Sequence, residues 1–115
     1  MGAPIVFFDI AGPDEPALRA FYAKVFDWPC GEPGTFVPGN RPNIDAAFRE
    51  DPAEHRLYLG VADVASSLDA VSAAGGKVEV PRFEVPGQVV LGLFRDPAGN
   101  PMGLVEMVGD TPRVP

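Results

Sequence analysis

The chain has 115 residues, 46% of them apolar, and a formal net charge of −7. That length suits one domain with a real core, and an acidic balance without any basic cluster excludes nucleic acid as a partner. No apolar run is long enough to span a bilayer and none reads as a basic-then-apolar leader, so a soluble cytoplasmic protein without a membrane partner is expected. Glycine and proline number 13 and 14, close to the level of disordered chains. The apolar periodicity between them argues instead for a folded, turn-rich chain. Acidity serves solubility first, and it would also steer a cationic ligand. Cys30 is the only cysteine, which excludes an intrachain disulfide and a cysteine metal cluster and leaves a small buried hydrophobe.

Pro4 to Ile10 is a continuous apolar strand broken only by Asp9. Asp14 is placed to cap a helix with Pro16 in its first turn. Leu18, Phe21, Tyr22, Val25 and Phe26 then follow helical spacing and form one apolar stripe, and Trp28-Pro29 ends the helix. Gly34 to Val37 and Ile44 to Arg49 read as compressed strands. Leu57 to Val61 is the next strand, preceded by a polar loop from Glu50 to Arg56. Asp63 is a second cap, Val64, Leu68 and Val71 a second stripe, and Gly75-Gly76 a helix stop. Three strand candidates follow: Lys77 to Val85, Val89 to Phe94 and Met102 to Met107. The last two flank the turn Asp96-Pro97-Ala98-Gly99-Asn100, where Asp-Pro opens the reversal and glycine tolerates positive φ.

The order strand–helix–strands thus occurs twice, about fifty residues apart, which implies structural duplication. A ferredoxin-like β-α-β-β-α-β domain repeats at this scale too, but three strands after the second helix favour a β-α-β-β-β unit. The predicted class is α+β, one domain over residues 1–115, with modules near 1–52 and 53–110 and a tail at 111–115.

Several segments in order carry a resemblance. They are Phe8-Asp9-Ile10, Leu18-Arg19-Ala20-Phe21-Tyr22, Val25-Phe26-Asp27-Trp28, Val61-Ala62-Asp63-Val64, Ala73-Ala74-Gly75-Gly76-Lys77-Val78 and the hairpin Asp96 to Glu106. With these the chain resembles the vicinal oxygen chelate superfamily, which includes glyoxalase I, bleomycin-resistance proteins and extradiol dioxygenases. The resemblance implies two βαβββ modules whose mixed sheet curls into a cup. It also implies a metal inside, held by histidines on first strands and glutamates on last strands. Carried across residue by residue, the two histidine positions fall on Phe7 and Arg56 and the last glutamate position on Gly103. None is a metal ligand, so no metal and no cofactor is expected. His55 lies one residue from the second position, on the opposite strand face, and reads as a surface residue. Glu106 lies three residues past the expected acid and reads as a solvated strand-end charge.

Strand alternation puts Phe7, Ile5 and Asp9 on the cup face and Val6, Phe8 and Ile10 under the helix. Arg56, Tyr58 and Gly60 line the cup from the second module. Asp9 and Arg56 form an ion pair or meet a polar ligand. Phe7, Phe48, Tyr58 and Trp28 offer aromatic surface or are core, and Gly103 leaves room for a bound molecule or marks close strand approach. The ligand-binding set is therefore Phe7, Asp9, Phe48, Arg56, Tyr58 and Gly103, with no catalytic or metal residues assigned. The expected function is metal-free binding of a small organic molecule, as in bleomycin-resistance proteins. Two alternatives stand beside it. One is a lyase, isomerase or dioxygenase with a rearranged metal site drawing on His55, Asp9, Glu106 or a residue of a partner chain. The other is a non-catalytic dimeric module. A homodimer is expected because open sheet edges and helix faces bury well against a copy.

Overall fold

A computed structural model of the protein describes residues 2–39 and 44–115. The described chain holds two helices and a mixed sheet of seven strands that does not close, an α+β architecture. Contacts divide it into two compact units, one of Phe7–Arg56 and one that joins the residues up to Val6 with Leu57–Pro115. Among the described residues, no helix is long and apolar enough to cross a membrane.

In the Phe7–Arg56 unit, strand β1 (Ile5–Gly12) pairs in parallel with β2 (Asp45–Glu50), and helix α1 (Glu15–Phe26) connects them. Asp14 caps α1 as its spacing predicts, accepting from the Ala17 N–H at 3.1 Å. Glu15 and Arg19 form an ion pair one turn apart, and Arg19 reaches on to the Gly31 carbonyl at 2.7 Å. The helix ends at Asp27, which takes the left-handed conformation (φ 56°) just before Trp28. The predicted strand Gly34 to Val37 is reduced to one bridge, Phe36 to Ala46. The core of this unit is small. Cys30, Phe36 and Ala46 are buried, with Phe8, Tyr22, Ala23, Trp28 and Phe48 packed around them. Burial pushes the Cys30 thiol above its ordinary pKa.

The other unit has a complete strand–helix–three-strand order. β3 (Glu54–Val61) enters it at Leu57, followed by α2 (Val64–Ala73), β4 (Lys77–Val85), β5 (Val89–Arg95) and β6 (Pro101–Val108). β3 lies parallel to β6, and β6, β5 and β4 are antiparallel neighbours. Asp63 caps α2 through the Ser66 N–H at 3.0 Å, and Gly75 stops it at φ 97°. The apolar stripe of α2 sits on the sheet, so Val64, Leu68, Phe94 and Leu104 form one buried cluster. A short β7 (Thr111–Pro112), which the sequence reading treats as tail, pairs with β6.

β3 begins three residues earlier than its apolar run predicts. Glu54, His55 and Arg56 read as a polar loop, yet Glu54 accepts from the Arg49 guanidinium of β2 at 2.6 Å. A charge pair, not an apolar face, extends this strand.

Candidate functional site

The parallel register of β1 and β2 decides which side chains share a face. Phe8 stands opposite Ala46, Asp9 opposite Ala47, Ile10 opposite Phe48 and Ala11 opposite Arg49. Register partners in a sheet point the same way. Phe8 packs edge-on to Trp28 (6.3 Å), and Phe48 lies against Tyr22 of α1 (5.4 Å). Phe8 and Phe48 therefore face the helix, while Asp9 and Arg49 share the opposite face with Phe7.

On that opposite face lies a row of charge. The Asp9 side chain is buried, and the Arg49 Nε is 3.0 Å from its Oδ1. Arg49 also donates to Asp51 at 2.8 Å and to Glu54 at 2.6 Å. Arg56, whose side chain is only 7% exposed, has its nearer terminal nitrogen 3.8 Å from the same Glu54 oxygen. Burial works against the charge on Arg49, but Glu54, Asp9 and Asp51 outweigh it and hold the guanidinium above its ordinary pKa. It stays a cation at any pH the fold survives.

Of the six residues singled out in the sequence, the structure gathers Phe7, Asp9 and Arg56 in the Phe7–Arg56 unit. Phe48 belongs to the same unit but turns to the helix side, in the stack of Tyr22, Trp28 and Phe36. Tyr58 and Gly103 belong to the other unit, where they are register partners on β3 and β6. A Cβ built on Gly103 would sit 2.3 Å from the Tyr58 ring, so the space left by the missing side chain is occupied by that ring. Gly103 marks close strand approach. Arg49 and Glu54, which the sequence reading leaves aside, are the partners that organise the charged face. Their signal was the alternation Ala47-Phe48-Arg49, usable only once the register to β1 is known.

His55 is exposed, on β3 and not in a loop. Glu106 needs a correction. It is a buried carboxylate, 6% exposed, not a solvated charge. Its oxygens accept from the Val64 N–H at 3.1 Å, from Arg82 at 3.1 and 2.9 Å, and lie 3.1 Å from the Arg113 Nε. The Arg82 guanidinium, then the Val64 N–H, pull its pKa down to about 2 against the opposing effect of burial. Its three-residue offset turns it toward the helix, and there it caps α2.

The fold family to which these segments point implies a divalent metal, and the donors do not fit one. A phenyl ring at Phe7 and a hydrogen at Gly103 offer no lone pair, and a guanidinium at Arg56 repels a cation. Among the described residues, no three histidine, cysteine, aspartate or glutamate side chains come together in a cluster able to hold an ion.

Comparison with known proteins adds three findings. A family model described as "Glyoxalase-like domain" matches residues 5–105. Proteins of Mycobacterium bovis and Mycobacterium tuberculosis that carry the name "Putative glyoxylase CFP32" are 26% identical over 113 residues, covering 84% of this chain and 42% of theirs. The chain therefore spans less than half the length of the curated relatives it matches. A Streptomyces coelicolor methylmalonyl-CoA epimerase variant in complex with 2-nitronate-propionyl-CoA superposes with a TM-score of 0.67 at 14% identity, covering 92% of this chain and 98% of that one. A methylmalonyl-CoA epimerase in complex with methylmalonyl-CoA and NH4+ gives 0.68 at 13%, covering 96% and 99%. At these identities the two structures speak for the fold alone.

Proposed function

Because the chain belongs to the glyoxalase-like domain family, we propose that it binds a small organic molecule without a metal, through the charged sheet face that carries Asp9, Arg49 and Arg56. The observation that carries this reading is the burial of Asp9 and Arg56, 5% and 6% exposed. Removing an ion from water costs several kcal/mol even after relaxation, and charged groups held inside a small domain cluster at functional sites. The helix side of the same strands is aromatic and apolar, so the polar face is the one suited to a ligand's functional groups. Solved structures of this fold hold small organic ligands, the acyl-CoA molecules of the two epimerase complexes.

The chemistry available on this face is fixed-charge recognition. Asp9 can accept from a donor on the ligand, Arg56 can donate to an acceptor, and Phe7 lends apolar contact beside them. Arg49 holds the Asp9 carboxylate in place from 3.0 Å.

Thermal-shift screening with neutral, cationic and anionic small molecules tests the proposal. At least one class is expected to raise the melting temperature, and Asp9→Asn and Arg56→Gln are each expected to abolish that rise. No response from any class, or a response that survives both substitutions, overturns it. Elemental analysis of protein purified without chelators is expected to find far less than one transition-metal ion per chain. Stoichiometric nickel, zinc, iron or manganese would instead establish the metalloenzyme alternative.

A further inference from the structure

The charged face has an order of signs. Asp9, Arg49, Glu54 and Arg56 follow one another as negative, positive, negative and positive. The Asp9 Oδ1 is 3.0 Å from the Arg49 Nε, and one Glu54 oxygen lies 2.6 Å from Arg49 and 3.8 Å from Arg56. All four belong to the Phe7–Arg56 unit, and Glu54 and Arg56, two residues apart on β3, point to one side of that strand. Each inner member has a charge of opposite sign on either hand. The outer members, Asp9 and Arg56, are the most deeply buried, with side chains 6% and 7% exposed against 27% and 24% for Arg49 and Glu54. Granted that a ligand binds on this face, the geometry points to a zwitterion, one small molecule with a cationic amine at the Asp9 end and a carboxylate at the Arg56 end.

Three observations separate this class from singly charged ligands. The first is the balance of the row. Its four charges cancel, so it gives no net pull to an ion of either sign, while its unlike ends reward unlike charges in one molecule. The second is the surroundings. Asp45, opposite Phe7 in the β1–β2 register, and Asp51 are exposed acids at the margin of the face, and the whole chain carries −7. A carboxylate without an amine is repelled by that field. An amine without a carboxylate would lay its uncharged part over Arg56, taking water from a guanidinium and returning no acceptor.

The third is room. Ala47 stands opposite Asp9 on β2, so the side chain beside that carboxylate is a single methyl group. A carboxylate offers about four acceptor positions and a guanidinium five N–H groups, so each outer member can bond a ligand in addition to its partners within the protein. Phe7, two residues from Asp9 on the same face, gives contact for a short aliphatic body. Three contacts and one guanidinium separate the two ends of the row, a span that a chain of a few methylenes covers.

Isothermal titration of the whole chain with glycine, β-alanine, γ-aminobutyrate and ε-aminocaproate tests the inference, each beside the simple amine and the simple carboxylate of the same length. At least one zwitterion is expected to bind at least about tenfold more tightly than both of its singly charged controls, because hydrogen bonds between charged groups are the strong ones. Asp9→Asn is expected to bring that zwitterion down to the affinity of its carboxylate control, and Arg56→Gln down to that of its amine control. A merely structural role for these residues would weaken all three ligands alike. Glu54→Gln removes the negative charge between the two guanidiniums and is expected to raise carboxylate binding relative to the zwitterion, and it carries the test should the other variants fail to fold. Absence of zwitterion binding at about 10 mM overturns the inference. So does a singly charged control that binds as tightly as its zwitterion, and where Asp9→Asn or Arg56→Gln abolishes that binding the charged face still stands as the binding surface. Zwitterion binding that survives both substitutions overturns the binding surface itself and the inference with it.

Discussion

Glu106 shows how one side chain joins parts of the chain that lie far apart in sequence. Its carboxylate serves the first N–H of α2, the Arg82 guanidinium of β4 and the Arg113 guanidinium beyond β7. Replacing it with glutamine keeps the shape but removes the charge that satisfies them, at a cost of about 1–3 kcal/mol. The arginines are partly exposed, and solvent screening holds the effect in that range. The pH dependence has a definite sign. In the unfolded chain Glu106 takes up a proton near its ordinary pKa, roughly 4.3, whereas the folded protein delays this to about 2. The stabilisation is therefore complete above the ordinary carboxylate range and is lost as pH falls toward 2. Urea unfolding at pH 7 and pH 3 should show a smaller drop for Glu106→Gln than for the unsubstituted protein. An identical drop would mean that another carboxylate dominates the acid limb. The offset of Glu106 toward the helix was legible by counting along the strand. Its burial was not, because Arg82 and Arg113 reach it only through the turns that follow α2 and β6.

Elements with local signals were readable. Both helix caps, the stripe of α2 and its glycine stop depend on neighbours within four residues, and Asp14, Asp63 and Gly75 perform as their spacing predicts; of the α1 stripe only Leu18 and Tyr22 are partly buried, while Phe21, Val25 and Phe26 stay exposed. Elements defined by a partner were not. β3 starts at Glu54 because Arg49 of another strand holds it, and the predicted strand around Phe36 shrinks to a bridge. Gly103 belongs with these, since only the β3–β6 register reveals the ring that covers it. A methyl group there would meet ring carbons at 2.3 and 2.4 Å, so the two strands must part or Tyr58 must leave. Gly103→Ala is expected to destabilise the protein by about 1–3 kcal/mol. In a Tyr58→Ala background the same substitution should cost much less, because the obstacle is gone. Denaturant unfolding of the four proteins in this cycle gives the coupling. Additive effects would show that the ring does not limit residue 103.

At the scale of the whole molecule, the order of segments was enough to place the chain in its family, since that order spans most of the length that the family model matches. The face that carries charge was harder to see. Asp9 and Arg56 were visible as residues, but Arg49 and Glu54 join them only through parallel pairing. The two units also differ in what sustains them. Val64, Leu68, Phe94 and Leu104 are buried together in one, while the buried set of the other is Cys30, Phe36 and Ala46, two of them small. The chain's only tryptophan lies in the second of these, stacked on Tyr22 at 5.0 Å and 15°. Trp28 is thus a built-in fluorophore for one half of the protein, while far-ultraviolet circular dichroism averages over α1 and α2. With the smaller core giving way first, its emission should change at lower urea than the ellipticity does. Coincident curves would mean that the halves melt as a single cooperative body. Where the two curves separate, any stability quoted for this protein from fluorescence alone describes the Phe7–Arg56 half, and a mutation in α2 goes unnoticed by that signal.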